Sequence, residues 1–304
     1  MNTLDKSILV AVDYSRTSKM ALREAARIAN AQEVDIEVMH VIDEDIVKHF
    51  TDQKAKFDRA GVLDSEHSRL EKFIADSIGT GKNIKTEVLI GNPFREIIEA
   101  VNQKNHSLLA LGANGHSNRY SSRAGVLASK CVRKAAIDVL LVRRGHDRLF
   151  NSIIACVDFS DNSIESAYKA GEIAVLEGAS LKLVYVFKPP VQFEELYGWA
   201  TTSSADDPES SITYHLEQKL DEISKEIQSK YSDIDISVTV NTNMRVSSGM
   251  NEQIDETNAD LVVLGTRGRT GLRTFLLGTT AERIIHDSQC SVYAVKPEGF
   301  KYEL

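Results

Sequence analysis

The sequence predicts an α/β protein made of two copies of one unit, each a five-stranded parallel β-sheet with helices on both faces. Short continuous apolar runs alternate with longer amphipathic segments, which is the pattern of parallel strands buried on both faces. The pattern occurs twice along 304 residues, a length that suits two domains. The apolar fraction of 42% and the charged fraction of 26% indicate an ordinary globular chain.

Two pairs of segments show the internal repeat directly. Residues 6–15, KSILVAVDYS, align with residues 151–160, NSIIACVDFS. Residues 108–115, LLALGANG, align with residues 261–268, LVVLGTRG, after the second copy has gained several residues. The boundary falls in the short polar stretch 144–150, so we predict domains at 1–146 and 147–304.

The first copy provides five apolar runs and four amphipathic segments. The predicted strands are Ile8–Val12, Ile36–Val41, Ile84–Ile90, Leu108–Gly112 and Val139–Val142. The predicted helices are near Ser18–Ala31, Ser65–Ile78, Pro93–Asn102 and Val126–Lys134. Ser15 or Thr17 is the expected cap of the first helix, and Pro93 suits a first helical turn because its missing N–H has no helical partner there.

The second copy repeats this order with a longer connection after its second strand. The predicted strands are near Ile153–Val157, Ser180–Val186, Ile234–Val240, Asp260–Leu264 and Ser291–Val295. The extra length lies mainly in 188–209, before a long helix at about 211–230. Phe193, Tyr197 and Trp199 in this insertion suit either a lid or partner contact, or aromatic anchors that hold the loop to its own domain.

Composition restricts location and partners. No apolar run approaches the roughly 18–20 residues that span a bilayer, and the first residues lack the apolar core of a signal peptide, so we expect a cytoplasmic protein without membrane contact. The net charge is −8, and its acidic excess lies in residues 147–304, which argues against a nucleic-acid groove there. Cys131, Cys156 and Cys290 lack metal-ligand spacing and predict buried thiols.

The strongest local signal is a glycine-rich loop in the second copy. Gly265-Thr266-Arg267-Gly268 follows an apolar strand, and Gly278-Thr279-Thr280 opens the next helix after a gap of nine residues. Bare glycine backbones, a helix N-terminus and hydroxyl side chains suit phosphate, and Arg267, Arg269 and Arg273 add positive charge. The pattern GxxxxGK[ST] is absent from the sequence, which disfavours kinase or Walker-type ATPase chemistry.

Two further residues are expected in the same crevice, because open α/β sheets bind ligands at the carboxyl ends of their strands. Asp158 ends the first strand of the second copy and suits a hydrogen bond from a base amino group or a ribose hydroxyl. Its alternative role is to cap the turn into the next helix. Val186 ends the second strand and suits an apolar wall whose backbone meets the base.

The spacing G-x2-G-x9-G-[S/T], the strand-terminal Asp and the two fused copies resemble a tandem universal stress protein of the adenine-nucleotide-binding α-hydrolase-like superfamily, over essentially the whole chain. The resemblance implies Rossmann-like, HUP-type domains that pair through their last strands about a pseudo-twofold axis, with ATP or AMP in the crevice. Asp158 and Val186 then meet the adenine and ribose. The ribose and phosphates are held by Gly265, Arg267, Gly268, Gly278, Thr279 and Thr280.

The first copy retains only part of this pattern. Val126 stands where the family has Ser or Thr, and the loss of that hydroxyl donor is worth about 1–3 kcal/mol if its partner is charged. His116, Arg119 and Arg123 are candidates to compensate. We therefore predict nucleotide mainly in the second copy. The matching positions of the first copy are Asp13, Val41, Gly112, Gly115 and Gly125.

The sequence predicts a nucleotide-responsive stress or regulatory protein rather than a dedicated enzyme. No HExxH pattern, paired metal spacing or nucleophile motif occurs in it, so no catalytic or metal-ligating residue is assigned. Any divalent metal is expected to enter with the nucleotide phosphates. Slow ATP hydrolysis and binding of another small molecule under the 188–209 insertion stay open as alternatives. An unidentified protein partner, pairing of the two domains within the chain and a further homodimer are the expected interactions.

Overall fold

A computed structural model describes residues 6–53, 58–79, 83–115, 124–143, 149–189, 208–268 and 277–302. The chain divides into two compact units. Unit 1 holds the described residues up to 143 and those from 291 onward, and unit 2 holds those from 149 to 290.

Unit 1 is a parallel sheet with the strand order β3-β2-β1-β4-β5, extended at its β5 edge by the antiparallel strand β10. The strand order reverses between β1 and β4, because the chain builds outward from β1 in one direction and from β4 in the other. A crevice is expected at the carboxyl ends of these two strands. Its elements are β1 (Ser7–Ala11), α1 (Arg16–Gln32), β2 (Asp35–Asp43), α2 (Glu44–Gln53), α3 (Arg59–Ile78), β3 (Ile84–Gly91), α4 (Pro93–Gln103), β4 (His106–Gly112), α5 (Val126–Lys134), β5 (Asp138–Val142) and β10 (Ser291–Val295).

Unit 2 contains the parallel strand order β9-β6-β7-β8, and its order reverses at β6. The middle residues of β6 and β9 are fully buried, as expected for strands covered on both faces. Its elements are β6 (Ser152–Cys156), α6 (Asp161–Glu177), β7 (Ser180–Phe187), α7 (Pro208–Lys230), β8 (Ile236–Thr242), α8 (Val246–Thr257), β9 (Leu261–Gly265) and α9 (Thr279–Asp287).

The predicted Ser15 cap and the first-turn position of Pro93 are confirmed, and the structure adds the caps Ser160 and Asn92. The Ser15 hydroxyl accepts a hydrogen bond from the Ser18 amide and caps α1, and Ser160 does the same for α6. Asn92 caps α4, with Pro93 in its first turn. Each of these capped helices begins just after the carboxyl end of a strand. This is the edge of the sheet where the predicted ligand residues lie.

The predicted pairing of the two last strands is confirmed. In β10, Val292 lies opposite Leu141, and Tyr293 lies opposite Leu140. The Ser291 hydroxyl accepts a hydrogen bond from the Arg143 amide at 3.2 Å. Because β10 belongs to unit 1, the strand that closes the second sequence repeat covers an edge that the first repeat otherwise leaves unpaired.

The structure corrects the predicted elements in three places. Residues 44–53 form α2, a segment to which the sequence analysis assigned no element. Helix α3 begins at Arg59 rather than near Ser65, and Asp58 caps it. The third strand of the second copy is Ile236–Thr242 rather than Ile234–Val240. The aromatic residues Phe193, Tyr197 and Trp199 lie outside the described residues.

Helices long and apolar enough to cross a membrane do not occur in the part of the chain that the structure describes.

A buried lysine follows β10. Lys296 is 6% exposed, its ammonium donates to the Val132 carbonyl, and its backbone N–H donates to the Asp138 carboxylate at 2.9 Å. Burial lowers the pKa of Lys296 to about 7, although the charge of Asp138 opposes the shift. In the unfolded chain a lysine titrates near pKa 10.4.

This difference predicts a pH dependence of stability. Between about pH 7 and about pH 10 the unfolded chain binds a proton that folded Lys296 has lost, so the free energy of unfolding rises with pH, by at most about 1.4 kcal/mol per pH unit. Below about pH 7 both states hold the proton, so this pH dependence disappears. Urea unfolding from about pH 7 to about pH 9 should show a steeper rise for the wild type than for Lys296→Met. Equal slopes would contradict a buried, deprotonated Lys296.

Candidate functional site

Unit 2 contains a cavity of about 430 Å³ at the carboxyl ends of β6, β7 and β9 and at the start of α9. It lies at the reversal of strand order, where open α/β sheets place their ligands. The cavity brings together every residue that the sequence nominated in the second copy: Asp158, Val186, Gly265, Arg267, Gly268, Gly278, Thr279 and Thr280.

Asp158 is fixed by the turn that it begins. Its Oδ1 accepts hydrogen bonds from the Ser160 amide at 3.0 Å and from the Ser160 hydroxyl at 2.5 Å, and its own amide donates to the Ser163 hydroxyl at 3.1 Å. Its Oδ2 lies over Gly268, where an added Cβ would be only 2.7 Å away. The carboxylate therefore has a capping role and also faces the cavity, so the two roles that the sequence left open coexist.

The turn itself is strained. Phe159 has a φ of 61°, a left-handed conformation that is unusual for a bulky residue. Its ring stacks on Tyr185 with the ring centroids 5.0 Å apart. The stacking and the Asp158 hydrogen bonds offset a strain of about 1–3 kcal/mol.

Val186 contributes apolar surface and directed backbone groups. On the β6 side of β7, the Val184 carbonyl accepts from the Val157 amide at 2.9 Å. On the β8 side, the Phe187 carbonyl accepts from the Asn243 amide at 2.9 Å. Backbone groups of a strand alternate in direction, so the Val186 N–H and C=O face the gap that opens where β6 ends. Val246 and Met250 complete an apolar wall beside this gap.

Gly265 is required by packing rather than by a ligand. A Cβ at this position would lie 2.9 Å from the Asn162 carbonyl oxygen, which belongs to the backbone of the first turn of α6. The Asn162 side chain also accepts from the Arg267 amide at 3.0 Å. Gly265 therefore allows α6 to approach β9 closely and fixes the start of the loop.

Gly278 has a different environment. Among the described residues, an added Cβ would meet nothing nearer than the Thr266 carbonyl oxygen at 3.7 Å, so the position is open toward the cavity. The Gly278 amide donates to that same carbonyl at 3.0 Å, so this amide is already used within the protein. The donors that the start of α9 presents are the first-turn amides of residues 279–281 and the two threonine hydroxyls.

The charged lining of the cavity includes one residue that the sequence analysis missed. Lys188 follows β7 directly and lines the cavity with Arg267 and Asp158. The rule that nominated Asp158, a charged residue just past a strand's carboxyl end, applies equally to Lys188, but we assigned it to the insertion. Arg269 and Arg273 lie outside the described residues.

The thiol that lines the cavity is not a reactive group. Burial raises the pKa of Cys156 to about 12, and the neighbouring charge of Asp158 adds to the shift. The thiolate is therefore scarce at neutral pH, as is typical of a structural cysteine. Among the described residues, no group of three or more His, Cys, Asp or Glu side chains is placed to hold a metal ion.

Unit 1 contains a cavity of about 630 Å³ at the matching place. Oδ1 of Asp13 accepts from the Ser15 amide at 3.0 Å, and Oδ2 lies 2.6 Å from the Cβ position of Gly115. Tyr14 repeats the left-handed φ of 61°. The nominated residues of the first copy all line this cavity: Asp13, Val41, Gly112, Gly115 and Gly125. His116, Arg119 and Arg123 lie outside the described residues.

The aromatic support of this turn differs between the units. Tyr14 packs against His40, with the ring centroids 4.4 Å apart, and its hydroxyl donates to Glu66 at 3.0 Å. The Nδ1–H of His40 donates to the Val12 carbonyl oxygen at 2.8 Å. Burial lowers the pKa of His40. Burial and the Glu66 contact raise the pKa of Tyr14. The histidine is accordingly a neutral support of the Tyr14 turn near pH 7.

Comparison with known proteins decides the family. The profile of the Universal stress protein family matches the chain twice, over residues 6–143 and 149–296. The chain belongs to the universal stress protein family. Universal stress protein E of Photorhabdus laumondii is 25% identical over 97% of this chain and 96% of its own length. A universal stress protein of Methanocaldococcus jannaschii is 31% identical over 51% of this chain and 87% of its own length.

Solved structures agree with the fold of this universal stress protein. A functionally unknown protein from Pseudomonas aeruginosa PAO1 matches with a TM-score of 0.66 and 18% identity, covering 97% of this chain and 94% of that one. A universal stress protein from Archaeoglobus fulgidus matches with a TM-score of 0.61 and 19% identity, covering 95% and 98%. At these identities the likeness concerns the fold, and the tandem α/β architecture predicted from the sequence is confirmed.

The two glycine environments predict different responses to the same substitution. Gly265→Ser should lower the free energy of unfolding of unit 2 by about 1–3 kcal/mol, because the new Cβ meets backbone that cannot move cheaply. Gly278→Ser should change it by less than about 0.5 kcal/mol, because the position is open and serine is a good helix cap. Urea denaturation of both variants measures the difference. Similar losses would show that the second glycine is also structural.

Proposed function

We propose that the unit 2 cavity binds an adenine nucleotide, ATP or AMP, and that its occupancy makes this universal stress protein a nucleotide-responsive cytoplasmic regulator. One observation carries the proposal: a single cavity joins a strand-terminal carboxylate to a helix start that bears two threonines. Family membership supports it, because the family resemblance implies adenine nucleotides at these residues.

The base and ribose fit the end of the cavity formed by β6 and β7. The backbone of Val186 faces this end, and a strand-like N–H and C=O pair matches the donor and acceptor edge of adenine. Met250 and Val246 offer apolar contact to the ring faces. The Asp158 carboxylate is suited to accept from a ribose hydroxyl or the adenine amino group.

The phosphates fit the other end of the cavity, at α9. The first-turn amides of a helix carry a partial positive charge and lack helical acceptors, which favours an anion. Thr279 and Thr280 add hydroxyl donors, and Lys188 and Arg267 give the charged lining a net positive sign. A divalent cation carried by the phosphates is part of the proposal.

Mass spectrometry of the small molecules released from purified protein tests the proposal at its simplest level. Release of ATP or AMP is the expected result. Accumulation of ADP during incubation with ATP would show slow hydrolysis. Release of a molecule without adenine, together with no ATP binding by calorimetry, would overturn the proposal.

Gly278→Val should abolish ATP binding. The valine side chain enters the space assigned to the phosphates, and the nearest atom of the described residues lies 3.7 Å from its Cβ position. The matched variant is Gly125→Val in unit 1, where the nearest atom of the described residues is the Ala113 carbonyl oxygen at 3.4 Å. Calorimetry should show ATP binding lost in the first variant and nearly unchanged in the second. Equal losses would contradict the assignment of ATP to unit 2.

Asp158→Ala and Thr279→Val should fail differently, because they act at opposite ends of the nucleotide. The first should weaken ATP, AMP and adenosine alike, since all three share the part it recognises. The second should spare adenosine and weaken the phosphorylated ligands by about 1–3 kcal/mol, which is about 5- to 150-fold. The effects on ATP should add within about 0.5 kcal/mol if the contacts are independent.

Binding curves for the three ligands against both variants provide the measurement. Far-UV circular dichroism controls for the loss of the Asp158 cap, which also holds the turn before α6. If Thr279→Val weakens adenosine as much as ATP, the hydroxyl supports the fold and the phosphate assignment is wrong.

A further inference from the structure

The cavity of unit 1 keeps the base end of the unit 2 cavity. The Val12 amide donates to the Met39 carbonyl at 2.9 Å, just as Val157 donates to Val184 at 2.9 Å. The alternation that turns the Val186 backbone toward the gap therefore turns the Val41 backbone the same way. Asp13 is held by its serine and lies over its glycine with nearly the same spacing as Asp158.

Among the described residues, the charged lining of the unit 1 cavity is opposite in sign to that of unit 2. Its charged lining residues, among those described, are Asp13 and Asp43, whereas unit 2 has Asp158 with Lys188 and Arg267. In the aligned sequences Asp43 stands where unit 2 has Lys188. Two carboxylates repel a phosphate in a partly enclosed space, where charges are poorly screened.

The helix start has also become apolar. Val126 and Leu127 open α5 at the positions of Thr279 and Thr280. The described part of the chain exposes seven large apolar side chains, and three of them line this one cavity: Ile46 at 56%, Val126 at 75% and Leu127 at 38%. Such a concentration indicates a surface that something apolar covers.

We propose that the unit 1 cavity binds an uncharged adenine nucleoside with an apolar group at its 5′ position, such as a 5′-alkylthioadenosine, and rejects nucleotides. The proposal rests on the proposed function, from which it takes the adenine end. The 5′ substituent then meets Val126, Leu127 and Ile46 in place of phosphate donors. The first-turn amides of α5 are still present, but the apolar side chains of Val126 and Leu127 beside them and the negative charge of the described cavity lining favour a thioether over an anion.

Binding to unit 1 is measured on the full chain with unit 2 disabled at both ends, by Gly278→Val at its phosphate end and Asp158→Ala at its base and ribose end; this double variant is called the blocked chain. Far-UV circular dichroism confirms that the blocked chain is folded. The probes are 5′-methylthioadenosine, adenosine, AMP and ATP. We expect one site per chain in the blocked chain, with methylthioadenosine bound at least about tenfold more tightly than AMP, which corresponds to about 1.4 kcal/mol.

Two further variants in the blocked chain locate the site. Gly125→Val should abolish methylthioadenosine binding, because the new side chain enters the cavity beside Val126. Asp43→Lys combined with Val126→Thr copies the unit 2 residues and should shift the preference toward AMP by about tenfold or more. An unchanged preference in the double substitution would overturn the proposed role of these residues.

The outcomes separate this inference from the proposed function. If the wild type binds ATP and Gly278→Val removes that binding, but no nucleoside binds the blocked chain, the unit 1 proposal is wrong and the unit 2 proposal stands. AMP or ATP binding as tight as that of methylthioadenosine in the blocked chain would also overturn it. If the wild type binds no ATP but the blocked chain binds methylthioadenosine, the unit 2 proposal fails alone.

Discussion

Both cavities depend on one backbone turn, the left-handed aromatic residue between the strand-terminal Asp and the capping Ser. Phe159 and Tyr14 share the same φ of 61°, and each forces the chain to leave the sheet at the end of the first strand. The Asp accepts from the Ser amide, and the Ser caps the helix, so one strained residue is held by two hydrogen-bonded neighbours. Because the chain leaves the sheet here, the backbone of the neighbouring strand, β2 or β7, faces a gap beyond the end of β1 or β6. The carboxylate of Asp13 or Asp158 lies beside this gap.

The sequence was sufficient to predict this edge of the sheet because the signals are local or repeated. An apolar run followed by Asp, an aromatic residue and Ser occurs twice, and the rule for open parallel sheets then places Asp158 and Gly268 in one crevice. The individual roles of the glycines could not be predicted. Gly265 could make room either for a ligand or for the backbone of Asn162, and the distance between α6 and β9 decides which. The apolar periodicity of the sequence gives no information about that distance.

The same limit explains the other differences. The charge of Lys188 was visible, but its place in the cavity follows from where β7 ends, and the ends of elements are the least well determined by pattern. The helix Glu44–Gln53 has an amphipathic sequence with acidic residues in its first turn, but the sequence analysis placed no element between the second strand and the helix predicted near Ser65. Strand β10 belongs to unit 1, although it ends the second sequence repeat. Tertiary contacts decide this membership, and the sequence of a strand does not show which compact unit it will join.

The two units compared within one chain show which positions the fold holds and which the ligand can change. Gly112 and Gly265 both lie against the first turn of a helix, and Gly115 and Gly268 both leave room for a carboxylate, so neither pair can change without moving backbone or the Asp. The positions that differ, Asp43 against Lys188 and Val126 against Thr279, line the cavities and have no counterpart of this close backbone approach. The glycine spacing therefore reports the architecture of the crevice. In our proposals, the charge and polarity of the side chains at these differing positions select the ligand of each crevice.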